Sequence, residues 1–75
     1  MIRAVRTLQY HMLEASGSGR WETRSEISAA LRSEYGLRVT AMELREWITE
    51  VRVAGEHQLR FRRRRGSGEA EYLLR

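Results

Sequence analysis

One short pattern, Thr-x-x-Glu, occurs twice, at Thr23–Glu26 and at Thr40–Glu43, and each copy opens a stretch with helical spacing of apolar residues. It is a capping box: the threonine hydroxyl accepts the N–H of the third helical residue, while the glutamate reaches back to the N–H of the cap. Two helix starts are thereby pinned to single residues in a chain of only 75. The stops are as sharp, because Gly36 and Gly55 follow the two stretches and suit the left-handed residue just past a helix C-terminus. The pattern predicts one helix from the first box to Tyr35, with Ile27, Ala30, Leu31 and Tyr35 on its buried stripe, and another over Ala41–Ala54. At about 100° per residue, Ala41, Leu44, Trp47, Ile48, Val51 and Ala54 share the inward arc of the latter. Met42, Arg45, Glu46, Thr49, Arg52 and Val53 lie opposite.

Upstream, Val5, Leu8, Met12 and Ala15 recur at spacings of three and four, with Ile2 and Leu13 on the flank, until Ser16-Gly17-Ser18-Gly19 ends the run. This is another helix, the first in chain order. Arg20-Trp21-Glu22 leaves room only for a small strand or an extended connector. From His57 the period changes to two, and Arg60-Phe61-Arg62-Arg63-Arg64-Arg65 runs through Gly66-Ser67-Gly68 into Glu69-Ala70-Glu71-Tyr72-Leu73-Leu74. That is a β-hairpin pattern. A slip of one residue turns every side chain to the other face, so the expected register joins the apolar residues, Phe61 opposite Tyr72 and Leu59 opposite Leu74. It also sets Arg62 against Glu71 and Arg64 against Glu69, with Gly66 and Ser67 as turn residues, and leaves Arg63 and Arg65 the freer charges. A three-residue loop would instead pair Arg63 with Glu71 and Arg65 with Glu69, splitting the apolar pairs.

These elements read as one α+β domain over residues 1–75: three helices, a C-terminal hairpin, and room for a short strand near Trp21. At this size a single core supplies only about 3 to 5 kcal/mol net, and no cysteine is present to staple it. A homodimer or a stabilising partner is therefore left open. No stretch approaches the roughly 18 to 20 apolar residues of a membrane span, and the N-terminus lacks the apolar centre of a signal peptide, so a cytoplasmic location without membrane association is expected.

All 14 basic residues are Arg and all 10 acidic residues are Glu. Residues 1–20 carry three Arg and one Glu, residues 21–56 five Arg and seven Glu, and residues 57–75 six Arg and two Glu. Positive charge is thus concentrated in the hairpin. A guanidinium stays charged at any physiological pH and presents a fork of donors matched to phosphate oxygens, so the expected ligand is a polyanion.

The order helix, short strand, helix, Gly-containing turn, helix, hairpin resembles the winged helix-turn-helix domain of small bacterial and phage transcription regulators. The resemblance covers essentially the whole chain and rests on Thr23 to Glu26, Gly36, Thr40 to Glu43, Gly55 and the hairpin from His57. It implies a regulatory protein that binds duplex DNA, with the helix over 41–54 in the major groove and residues 57–75 as an arginine-rich wing. Met42, Arg45, Glu46 and Thr49 would face the bases, Arg45 reaching guanine and Thr49 a base edge or a thymine methyl. Arg62, Arg63, Arg64 and Arg65 would meet backbone or minor groove, and Arg24, Arg38 and the second helix's N-terminal amides would add phosphate contacts.

The chain departs from this family pattern in one respect. Residues 40–56 hold Glu43, Glu46, Glu50 and Glu56 against only Arg45 and Arg52, so the expected reading helix is net negative. The wing must then carry much of any attraction to DNA. An alternative reading follows from the same imbalance: a protein-interaction module that binds an acidic surface on a transcription or replication enzyme. RNA, read through its A-form shape by the hairpin, is a third.

Trp21, Trp47, Tyr35, Phe61 and Tyr72 fall on expected core faces, which favours packing over base stacking. His11 and His57 lack partners at ligand spacing, so no metal is expected. No serine is matched with a base and an orienting acid, and neither enzymatic activity nor a cofactor is expected.

Overall fold

In a computed structural model describing residues 1–75, helix α1 spans Arg3–Gly17, α2 Arg24–Tyr35 and α3 Ala41–Ala54. Strands β1 (Glu22–Thr23), β2 (Leu59–Arg63) and β3 (Ala70–Leu74) form one antiparallel sheet in the order β1-β3-β2. Both capping boxes close. Thr23 Oγ1 accepts the Glu26 amide at 3.2 Å and Glu26 Oε1 accepts the Thr23 amide at 2.9 Å; the Thr40–Glu43 pair repeats this at 3.1 and 3.0 Å. Gly36 (φ 63°) and Gly55 (φ 70°) take the left-handed conformation that a side chain would disfavour. No helix is long and apolar enough to cross a membrane.

The core joins all three helices to the central strand: Val5, Leu8 and Met12 of α1, Ile27 and Leu31 of α2, Leu44, Ile48 and Val51 of α3, and Leu74 of β3. Ala41 and Ala54, expected inward, are exposed. The third helix packs through its middle turns and leaves its ends in solvent.

The hairpin register is the one that unites the apolar pairs, Leu59 with Leu74 and Phe61 with Tyr72, and it sets Arg62 opposite Glu71. The reverse turn is longer than a two-residue one, since the Gly68 amide donates to the Arg64 carbonyl at 2.9 Å and the loop takes in Arg65 to Gly68. Strand β1 offers β3 only two residues, Glu22 opposite Tyr72 and Thr23 opposite Glu71. Beyond it the Leu74 amide donates instead to Ser16 Oγ of α1, at 2.7 Å.

Two aromatic residues expected in the core lie outside it. Phe61 is 67% exposed, because α1 and α2 pack on β3 while β2 is the sheet edge beyond their cover. Trp21 sits on the sheet face turned away from the helices, with the Arg62 guanidinium 4.1 Å above its ring. Conversely, His11, given no packing role above, is buried, and its Nε2 lies 2.9 Å from the buried Glu22 Oε1, tying α1 to β1.

Candidate functional site

Alternation along β2 sorts the hairpin arginines by face. On the face away from the helices, Arg62 Nε donates to Glu71 Oε1 at 2.7 Å and Arg64 Nε to Glu71 Oε2 at 2.8 Å. The Arg64 guanidinium continues to both Glu26 oxygens at 2.9 and 2.7 Å. Glu69 stands opposite Arg64 as the register expects, its carbonyl accepting the Arg64 amide at 2.8 Å, but the guanidinium goes to Glu71 and Glu26. Glu71 is 4% exposed, and two guanidinium groups on its two oxygens compensate its burial. Arg62, then Arg64, holds the Glu71 carboxyl below its usual range. The Arg64 hydrogen bonds, with the Thr23 amide, bring Glu26 down to about 2. Arg62 and Arg64 therefore fasten the hairpin to Trp21 and to the start of α2.

Arg63 points the other way. It borders a groove of about 480 Å³ between α3 and the hairpin, with Arg24 from the start of α2 and Arg45 and Arg52 from α3. Ile48, Leu59 and Tyr72 give the groove apolar lining, and Thr49, Phe61 and Ala70 complete its walls. None of the four arginines makes an ion pair. Arg63 spends one donor on the Gly68 carbonyl at 3.2 Å. A second hollow, between α2 and α3, shares Arg24 and Arg45 and adds Ser25, Ser28, Arg32 and Ser33. A third, at the hairpin loop, shares Arg24 and Arg63. Arg24 joins the three into one basic surface.

The acidity of α3 lies elsewhere. At about 100° per residue, Arg45 and Arg52 fall on one flank of the helix and Glu43, Glu46 and Glu50 on the other. Glu43 is engaged in its cap, and Glu50 borders a shallow apolar hollow with Met1, Val53 and Ala54. A helix that is negative in sum thus turns a positive flank to the groove.

Of the residues singled out from sequence, Arg24, Arg45, Thr49 and Arg63 come together here. Thr49 Oγ1 donates to the Arg45 carbonyl at 3.0 Å and keeps its lone pairs for a ligand. Arg65 is exposed in the loop without an ion pair, Arg38 is exposed in the α2–α3 connection, and Met42 is 71% exposed; none of them lines the groove. Arg52 and Phe61 were not singled out. Arg52 was legible, standing seven residues, about two turns, after Arg45 on the same flank. Phe61 carried no such signal, because alternation assigned it to the buried face.

No group of three or more His, Asp or Glu side chains is placed to hold a metal ion. Nor does any family model, curated protein or solved structure match the chain.

Proposed function

We propose that the chain is a DNA-binding regulatory protein of the winged helix-turn-helix kind, with α2 and α3 as the helix pair and β2–β3 as the wing. The observation that carries this reading is the convergence of Arg24, Arg45, Arg52 and Arg63, all without ion pairs, on one groove between α3 and the hairpin. Unpaired guanidinium groups drawn from three elements attract a ligand with regularly spaced negative charge, and a phosphate backbone supplies it. The three helices and the antiparallel sheet order β1-β3-β2 are compatible with the same arrangement. Arg45 and Thr49 stand toward base edges, Arg24, Arg52 and Arg63 toward phosphates.

The test is a salt titration of binding to generic duplex DNA. Three neutralised phosphates, on Arg24, Arg52 and Arg63, give a slope of log affinity against log salt of about −2.7, at roughly −0.9 per contact. A flat response would refute the reading. The protein-partner alternative is favoured by one observation, the exposed apolar pair Met42 and Val53 on α3. Retention of a stoichiometric protein partner from nuclease-treated lysate, with no salt-dependent binding to DNA, would decide for it.

A further inference from the structure

Phosphate binding leaves one wall of the groove unexplained. Phe61 is 67% exposed in a concavity whose other walls include Arg24, Arg45, Arg52, Arg63 and Thr49. Single exposed apolar residues are ordinary on open surface. Here the ring lines the same hollow as four arginine residues, and a phosphate gains nothing from a hydrocarbon face. The complementary ligand carries negative charge and a flat apolar face side by side.

An intact duplex does not present that combination, because its bases are stacked inside and its phosphates face outward. A single strand does. A basic groove tracking the backbone, with an aromatic ring on which a base stacks, is how nucleic acid without a complementary strand is held. Phe61 is suited to be the platform, since it lies within β2, paired with Tyr72, and not on the hairpin loop.

We propose that the groove takes an unpaired nucleotide, its phosphates on the guanidinium groups and its base stacked on Phe61. The proposal rests on the nucleic-acid reading above and specifies which part of the DNA enters: a short single-stranded segment flanked by duplex.

The experiment compares, at one salt concentration, binding to a blunt duplex and to the same duplex with a short single-stranded gap carrying 2-aminopurine. The intact protein is expected to prefer the gapped DNA by roughly 5- to 100-fold, the range of one base–aromatic stack, and to quench the probe. Phe61→Ala and Phe61→Leu should lose both the preference for gapped over blunt DNA and the quenching, and Phe61→Trp should retain them. Far-UV circular dichroism of Phe61→Ala should match the parent, since the ring is exposed. Equal affinity for the two DNAs, or a preference that survives in Phe61→Ala, overturns the proposal while leaving the duplex reading intact. Absence of salt-dependent binding to either DNA refutes both. Capture of an acidic aromatic peptide in preference to gapped DNA also overturns it.

Discussion

Arg62 and Arg63 are neighbours in the chain with different hydrogen-bond partners. One stacks on Trp21 and holds Glu71; the other faces the groove. Arg63→Ala is expected to weaken DNA binding and to reduce the salt slope by about 0.9, the share of one phosphate contact. Arg62→Ala should leave the slope unchanged and lower stability, the lost cation–π contact alone accounting for about 0.5–1 kcal/mol. Salt titrations and thermal melts on the two variants separate these outcomes, and a reduced slope for Arg62→Ala would place it among the phosphate ligands. The split between free Arg63 and engaged Arg62 was legible from the hairpin register. The partners of Arg64 were only half legible, because Glu26 lies 38 residues away in the chain and no local pattern joins them.

Between elements, Glu26 serves two at once: its carboxylate caps α2 and receives Arg64 from the hairpin. With its folded pKa near 2 against an ordinary 4.5, Glu26 contributes stability that is complete above about pH 4.5 and is lost as the pH falls through 2. Glu71, lowered as well, acts in the same direction. Thermal midpoints should therefore be level with respect to these groups near neutrality and decline between about pH 4.5 and 2. Glu26→Ala should reduce that decline and cost about 1 kcal/mol, mostly from the cap, since an exposed ion pair adds little in screening solvent. An undiminished acid transition in Glu26→Ala would show that other carboxylates govern it. The caps themselves were the most legible part of the fold, because each is written within four residues. Which stretch of a face its neighbour covers was not: periodicity put Phe61, Ala41 and Ala54 inward, but only packing decides where cover ends.

Over the whole molecule, one cluster of nine buried residues joins every helix to the sheet. A chain this small holds a net stability of only about 3 to 5 kcal/mol, and truncating a buried leucine costs about 2 to 5. Leu8→Ala is thus expected to leave a large unfolded fraction at 25 °C, seen as lost amide dispersion by NMR; a native-like spectrum would point to stabilisation from outside this core. The sheet adds a constraint of a different kind. Its middle strand, β3, is the latest of the three in chain order, so β1 and β2 have no ladder partner until it arrives. A growing chain that has reached Arg65 holds three helical segments and two unpaired strands, and Arg63 has no fixed bearing toward Arg45. The basic groove comes into being only when β3 is in place, so a chain that stops short of Leu74 carries the same arginines without the surface that gathers them.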